Sequence, residues 1–521
     1  MFTTGGRLSQ TARKTPGKTG RKTGRKAVLM TVALMTAMAA SAADKKAGKT
    51  APPVEPPVLH ETAHSGVFGG TRVRYRAIAG ETHLSDKTGA PVAAIFSTTY
   101  LRTDVQDTSE RPVFFIFNGG PGSSSLWLHL GVYGPVRVAV PSNAEDDGAA
   151  PFRIIDNPAS ILDVADMVFI DPVGTGYSRA IGTGKGKDFW GVEKDARSIA
   201  EFIRLWLVKH QRWNSPKYLS GESYGTTRAA ALMKELQGGW TDIAINGLVL
   251  ISSILDFQTA RYQPGNDTPY LSYLPTMAAA AVHHGKVDIG DHSLQDYLAE
   301  VRVFTLGDYA SALLQGNRLD PAEFDRVAAR MSAYTGLRKS YVVNANLRVS
   351  NMRFMKELLR DEGVSVGRLD ARYKGRDYDG VGERFDADPS AYGIDAAYTA
   401  AINHYLQSRL GVDITRRYEV LSGVGRHWTA PEYGRYSSGY VNVAPHIGRA
   451  MRENSDFRVM VASGYYDLAT PFFASENTFN ANGIDTGRVT FTYYPAGHMM
   501  YVHEPSLEAL VRDIRAFIAG R

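Results

Sequence analysis

The sequence predicts an α/β fold, a mostly parallel central sheet flanked by helices, with a block of helices inserted before the last strands. Continuously apolar runs at residues 113–117 and 167–170 indicate strands buried on both faces. Such strands are typical of parallel sheets covered by helices on each side. An apolar periodicity predicts a long helix over residues 192–210. Both strands end in glycine-rich turns, and open α/β sheets bind their ligands at the carboxyl ends of strands.

The other elements continue this alternation, and each is predicted from the same two periodicities. The further strands are predicted at residues 73–78, 93–100, 217–220, 247–252, 457–462 and 489–494. Further helices are predicted at residues 226–236, 274–284, 294–303, 321–334, 396–410 and 505–518. We therefore divide the body into a first core part (58–254), a helical cap (255–425) and a second core part (426–521).

The net charge of +6 is concentrated at the N-terminus and does not indicate a nucleic-acid partner. Residues 1–42 contain eight Lys and Arg and no acidic residue, and the rest of the chain has 51 basic against 53 acidic residues. Since the rest of the chain is nearly neutral, it has no excess of positive charge to bind a phosphate backbone, and we expect no nucleic-acid partner.

The N-terminal layout is typical of a secretory signal. The basic stretch runs into an apolar segment at residues 27–40, which small residues follow. The segment is shorter than the ~20 residues of a spanning helix, although an uncleaved anchor is the alternative. We predict a signal peptide at 1–42, a disordered Pro/Lys-rich tether at 43–57, and an exported, periplasmic or secreted product without a stable membrane span.

Cysteine is absent, which excludes a disulfide framework, a thiolate nucleophile and a cysteine-based metal site. We expect no metal and no cofactor.

Gly221-Glu222-Ser223-Tyr224-Gly225 matches the nucleophile turn of α/β hydrolases. The serine of such a turn has a strained backbone, and small flanking residues let the strand and the following helix approach closely. Because the motif lies between a predicted strand and a predicted helix, we expect Ser223 to be a nucleophile above the sheet.

A serine hydroxyl needs a base to accept its proton and an acid to orient that base. In this fold the chain order is serine, acid, histidine. Asp467 and His498 follow the last two predicted strands and fit that order, while His503 is a weaker candidate for the base.

An oxyanion needs two preorganised backbone donors. The amide of Tyr224 follows the nucleophile directly, and the turn at residues 118–122 supplies the second donor, for which we favour Gly120. A phosphate site is the alternative for this turn, but the Gly-Lys-Ser/Thr ending of a nucleotide loop is missing.

Five segments together resemble the signature blocks of the serine carboxypeptidase family. They are Asn-Gly-Gly-Pro-Gly-Ser-Ser-Ser at 118–125, Asp-Pro-Val-Gly-Thr-Gly-Tyr-Ser at 171–178, Gly-Glu-Ser-Tyr-Gly at 221–225, Gly-Tyr-Tyr-Asp at 464–467 and Gly-His at 497–498. The resemblance implies a bacterial member with an α/β-hydrolase fold, a helical insertion and a serine triad that releases C-terminal residues from peptides. It also implies that Asn118, Gly119 and Glu222 recognise the terminal carboxylate of the substrate.

A carboxylate at Glu222 would repel the substrate's carboxylate unless one of the two were protonated. Burial and like charges raise a carboxyl pKa, so a protonated Glu222 predicts better peptidase activity at acidic pH. One departure from the family weakens this prediction, because Val132 occupies the position of a second family glutamate. Ser123 stands where the family often has a cysteine, which is consistent with a member that uses no disulfides.

Because the second glutamate is missing, an esterase or acyltransferase on the same scaffold is an alternative function. A non-catalytic binding protein is a further alternative. Trp127, Tyr224 and Tyr270 are candidates for lining a specificity pocket. The sequence carries no indication of the oligomeric state or of the side chain preferred at the cleaved bond.

Overall fold

The computed structural model describes residues 54–237, 242–431 and 439–520. The proposed signal peptide and all but the last four residues of the proposed tether lie outside these ranges. Residues 54–58 are irregular and lead directly into the first strand. Within the described residues, no helix is long and apolar enough to cross a membrane.

A large mixed sheet forms the centre of the protein. Its spatial order is β1-β2-β3-β7-β4-β9-β10-β13-β14, with β8 attached to β3. The main strands are β1 (Leu59–Phe68), β2 (Thr71–Ser85), β3 (Pro91–Arg102), β4 (Val113–Phe117), β7 (Asp166–Ile170), β9 (Lys217–Glu222), β10 (Gly247–Ile251), β13 (Arg458–Gly464) and β14 (Val489–Tyr494). The short strands are β5 (Val136–Val138), β6 (Ile154–Asp156), β8 (Arg179–Ala180), β11 (Ser365–Val366) and β12 (Lys374–Gly375).

The sheet is antiparallel from β1 to β7 and parallel from β7 to β14. The carboxyl ends of β4, β9, β10, β13 and β14 therefore meet at one edge, where the turns after them collect. The sequence correctly predicted a mostly parallel arrangement, and β4 and β14 have the predicted bounds.

The α-helices lie on both faces of the sheet and above its edge. They are α1 (Leu126–Leu128), α2 (Val192–Lys209), α3 (Tyr224–Leu236), α4 (Thr268–His283), α5 (Leu294–Phe304), α6 (Ala310–Gln315), α7 (Pro321–Thr335), α8 (Lys339–Asn344), α9 (Asn351–Glu357), α10 (Asp395–Ser408), α11 (Ala444–Glu453), α12 (Phe472–Phe479) and α13 (Glu504–Ile518). The predicted long helices all occur, with shifts of a few residues at their ends.

Alternate side chains of the central strands pack into two separate cores. In β4, Phe114 and Ile116 join the core that contains α10 and α13, whereas Val113, Phe115 and Phe117 join the core that contains α2 and α3. All five side chains are fully buried. The continuous apolar run thus follows from a strand with helices on both faces.

The helical block between β10 and β13 divides into two parts by its packing. Helices α4 to α9 share a core of their own, which includes Tyr465, Leu468 and Phe472 from the segment after β13. Helix α10 instead contributes Tyr398 and Tyr405 to the sheet core that it shares with α13. The boundaries 255 and 425 of a cap domain remain a prediction.

A buried ion pair joins α2 to α3, the helix that begins directly after Ser223. Arg228 Nε donates to Asp195 Oδ2 at 2.6 Å, and Arg228 Nη1 donates to the carbonyl of Asn118 at 2.5 Å. The side chains are 0% and 3% exposed. The guanidinium also lies over the rings of Phe117 and Tyr224, 5.4 Å from each centroid. Arg228 therefore links the nucleophile helix to the turn at 118–122.

Asp195→Ala is expected to destabilise the fold by about 3–5 kcal/mol, because it leaves the buried Arg228 cation without its carboxylate. The free energy of unfolding from urea titration measures this loss. Glu453→Ala is the matched control: it removes an exposed pair with Arg449 on α11 and should cost about 0.5 kcal/mol or less. Equal losses in the two variants would contradict the role given to the buried pair.

Candidate active site

Ser223 lies on a strained turn between β9 and α3. Its φ and ψ are 59° and −128°, a conformation that non-glycine residues rarely adopt. The flanking glycine is required by space, because a Cβ on Gly221 would lie 2.2 Å from the carbonyl oxygen of Gly225. The Ser223 amide donates to the Ile251 carbonyl at 3.0 Å, which ties the turn to β10.

The glycine-rich turn after β4 packs directly against this nucleophile turn. A Cβ on Gly119 would lie 2.5 Å from the amide nitrogen of Tyr224, so only glycine permits the contact. Gly120 has a φ of +100° and lies in the wall of the cavity that contains Ser223. The two segments expected to supply oxyanion donors are thus neighbours, while Gly120 and Tyr224 as the donors themselves remain a prediction.

Asp467 and His498 form a buried hydrogen-bonded pair. His498 Nδ1 lies 2.8 Å from Asp467 Oδ2, and the two residues are 6% and 0% exposed. The other carboxylate oxygen of Asp467 accepts the amides of Ala469 and Thr470 at 2.7 and 2.9 Å. A proton on Nδ1 satisfies this arrangement and leaves Nε2 as the acceptor.

The backbone of His498 is held from two sides. Its amide donates to the Leu369 carbonyl at 2.6 Å, and its carbonyl accepts the Ser252 hydroxyl at 2.6 Å. The preceding Gly497 amide donates to Asp370 Oδ2 at 3.0 Å. The loop that carries Gly497 and His498, called the histidine loop, is therefore fixed by the residue that follows β10 and by the segment before α10.

The pKa of His498 is raised above its ordinary value by opposing effects. Burial lowers it, but the Asp467 charge and the hydrogen bond that His498 donates to Asp467 raise it more, and the Glu222 carboxyl adds to the rise. A base of this kind accepts protons readily and loses its free lone pair as the pH falls.

Ser223 and His498 line one cavity of about 680 Å³. Among the described residues, no hydrogen bond joins Ser223 Oγ to His498 Nε2. Catalytic hydrogen bonds are often long in ligand-free structures and tighten in the substrate complex. The observation that relates the two residues is that both line this cavity, and not a hydrogen bond between their side chains.

Glu222 is buried beside Ser223, with 3% exposure. One carboxyl oxygen accepts the Tyr501 hydroxyl at 2.8 Å, and the other accepts the Asn118 side-chain amide. Burial raises the pKa of Glu222 to about 7, against the lowering by His498 and by these two hydrogen bonds. A carboxyl group that is substantially protonated near neutral pH thus faces the cavity.

Asn118 is oriented by its surroundings. Its side-chain oxygen accepts the Leu128 amide at 3.0 Å, so its nitrogen must point to Glu222. Asn118, Gly119 and Glu222 all line the same cavity as Ser223. The three residues expected to recognise a carboxylate are therefore together, although the recognition remains a prediction.

The other sequence candidates lie in different places. Trp127 lines the cavity and donates to Ser123 Oγ at 3.1 Å. Tyr224 is buried, and its hydroxyl accepts the Trp428 indole at 2.8 Å. Tyr270 packs on Tyr262 within the helical block, outside the cavity wall. His503 is likewise outside the wall, where it contacts Ser506 at 2.8 Å.

Several site residues carried no signal in the sequence. Residues of the segment at 421–426 form part of the cavity wall, and the Ser422 amide donates to the Gly122 carbonyl at 2.8 Å. Thr470 supports Asp467 through its hydroxyl at 2.7 Å. Tyr501 follows His498 by three residues and could have been found only by this proximity. The exposed Arg368 and Arg426 also line the cavity.

Residues 97–281 match the serine carboxypeptidase family model. The matched segment includes the glycine-rich turn, residues 171–178 and the Ser223 turn, and it ends before Asp467 and His498.

Curated relatives from Arabidopsis thaliana agree over the same part. Serine carboxypeptidase-like 13 is 31% identical over 164 residues, which cover 31% of this chain and 36% of the relative. Serine carboxypeptidase-like 7 is 33% identical over 144 residues, which cover 27% and 31%. The chain thus matches about a third of the length of these relatives.

The fold is shared over a greater length. A prohormone-processing carboxypeptidase from Saccharomyces cerevisiae, Kex1Δp, superposes with a TM-score of 0.52 over 85% of this chain and 91% of its own, at 16% identity. Together with the sheet order and the nucleophile turn, this likeness shows an α/β-hydrolase fold.

Asp467→Asn is expected to lower the kcat for an activated ester about 10³- to 10⁴-fold, because a carboxamide favours the wrong tautomer of His498. The loss of the negative charge should also shift the acidic limb of the pH profile to lower pH. Asp513→Asn, which changes an acid bonded to Tyr494 away from the cavity, is the control. Ester turnover within tenfold of wild type would contradict the role of Asp467.

Proposed function

We propose that this protein is a serine-type carboxypeptidase that releases C-terminal residues from peptides through an acyl-enzyme. The observation that carries the proposal is one cavity lined by Ser223, His498, Glu222 and Asn118, with Asp467 hydrogen-bonded behind the histidine. The match of residues 97–281 to the serine carboxypeptidase family supports the same class, and we propose membership for the whole chain.

In this mechanism Ser223 Oγ attacks the scissile carbonyl while His498 Nε2 takes its proton. Asp467 keeps the other ring nitrogen protonated and stabilises the imidazolium that forms. The amides of Gly120 and Tyr224 hold the oxyanion. His498 then protonates the leaving amine, and water releases the acyl group by the reverse sequence.

The terminal carboxylate of the peptide is positioned by Asn118, Gly119 and Glu222. Asn118 keeps one amide hydrogen on Glu222 and directs the second away from it. A protonated Glu222 donates a hydrogen bond to the carboxylate, whereas an ionised Glu222 repels it. Recognition of free acids should therefore weaken as the pH rises through about 7.

A second function on the same scaffold is favoured by one observation. Val132, at the position of the second family glutamate, is fully buried and apolar. A site with a single carboxyl has a weaker hold on a terminal carboxylate, which suits an esterase or an acyltransferase with an alcohol acceptor. Comparing a simple ester with a free-acid dipeptide separates the two functions.

We also propose that the protein is exported, to the periplasm of a bacterium or outside the cell. The support is the basic, apolar and small-residue order of residues 1–42.

Ser223→Ala is expected to abolish release of C-terminal residues from free-acid dipeptides and labelling by a fluorophosphonate, because the nucleophilic oxygen is removed. Mass spectrometry of products and of the labelled serine measures both. Ser475→Ala, which removes a buried hydroxyl outside the cavity, should retain both activities. Turnover by Ser223→Ala would rule out this nucleophile, and equal cleavage of free-acid and amidated peptides would rule out the exopeptidase.

Glu222→Gln tests the pH dependence. In the wild type, the ratio of kcat/KM for a free-acid peptide to that for its amide should fall about tenfold between about pH 6 and about pH 8. A carboxamide cannot ionise, so in the variant the ratio should stay level. The ratio cancels the titration of His498, which both substrates share. A wild-type ratio that does not change with pH would contradict the role of Glu222.

A further inference from the structure

The buried Tyr501 makes a contact with the candidate carboxylate site that the mechanism above does not use. Tyr501 lies on the short turn Met500–Val502 after His498 and is 3% exposed. Its hydroxyl donates to Glu222 Oε1 at 2.8 Å, while Asn118 holds Oε2. In the described part of the chain, these are the two side chains that hydrogen-bond to Glu222.

The ring of Tyr501 occupies space that a neighbouring glycine leaves open. A Cβ on Gly131 would lie 2.5 Å from Tyr501 Cε2 and 2.8 Å from the Tyr398 hydroxyl. The ring of Tyr501 therefore depends on the glycine at position 131, and its hydroxyl reaches Glu222.

Other titratable groups surround Glu222. His498 and Asp467 act on it from the turns after β14 and β13. Tyr398 on α10 and Tyr133 after α1 interact electrostatically with its carboxyl group. Both phenols are buried, and their pKa values are raised above the usual tyrosine range, as is that of Tyr501. These phenols keep their protons throughout the range in which Glu222 titrates.

We propose that Tyr501 is a positioning residue for Glu222: its hydroxyl fixes one carboxyl oxygen and sets the upper pH at which the protein still recognises a free peptide C-terminus. This inference rests on the proposed carboxypeptidase function and deepens it.

The proton arrangement follows from the geometry. When Glu222 is ionised, both of its oxygens accept hydrogen bonds, from Tyr501 and from Asn118. When Glu222 is protonated, both contacts can persist, and the added proton occupies a remaining lone pair that can point to a substrate carboxylate. A donor such as the Tyr501 hydroxyl favours the ionised form and therefore holds the pKa of Glu222 down.

Tyr501→Phe removes this donor and keeps the ring over Gly131. The midpoint of the pH-dependent ratio of free-acid to amide kcat/KM is expected to rise by about one pH unit, since one hydrogen bond to the charged form is lost. Tyr494→Phe is the matched control, because Tyr494 is 2% exposed and donates to Asp513 at 2.8 Å away from the cavity. It should leave the midpoint unchanged.

Infrared difference titration of the carboxyl band gives a second readout that does not need peptidase activity. Subtracting the Glu222→Gln spectrum isolates the Glu222 band, whose midpoint should rise by the same amount in Tyr501→Phe. Far-ultraviolet circular dichroism checks that each variant is folded.

The possible results separate the two claims. An unshifted Glu222 band in a folded Tyr501→Phe variant overturns the assignment of Tyr501, whatever the substrate. A wild type that cleaves amides as well as free acids overturns the proposed function, and with it the link between Tyr501 and substrate recognition. Parallel upward shifts of the band and of the kinetic ratio support the proposal.

Discussion

The close packing of two turns is the constraint on which the candidate site depends. The turn after β4 lies against the Ser223 turn at a distance that leaves no room for a Cβ on Gly119. This contact places Asn118 beside Glu222 and the glycine amides beside the start of α3. Arg228, on the helix that follows the Ser223 turn, is paired with Asp195 of α2 and donates to the Asn118 carbonyl of the other turn. A rigid frame of this kind fixes donors before any substrate arrives.

The two buried carboxyl groups of the candidate site have different hydrogen-bond partners. Asp467 is surrounded by donors, namely two amides, the Thr470 hydroxyl and the His498 ring. Glu222 has two donors and lies near the Asp467 charge, and burial raises its pKa to about 7. The two carboxyls thus differ in their hydrogen-bond partners, with four donors around Asp467 and two around Glu222.

The sequence predicted the central strands and long helices well, because fully buried strands and amphipathic helices leave strong periodic signals. It missed β1, whose half-exposed pattern begins at Leu59; among the residues that the structure describes, this edge strand pairs with β2 alone. The candidate residues near glycine motifs could also be found, since tight turns restrict residue type. Thr470, Tyr501 and the wall at 421–426 could not, because their roles depend on contacts between segments far apart in the chain.

One of those distant contacts has a consequence for how the protein matures. The Gly122 carbonyl accepts the Ser422 amide of the wall at 421–426, and these two residues are separated by 300 positions. During synthesis the nucleophile turn leaves the ribosome long before this wall and the histidine loop exist, and contacts of such long range close late. The growing chain therefore carries an incomplete cavity until the wall at 421–426 and His498 have been synthesised.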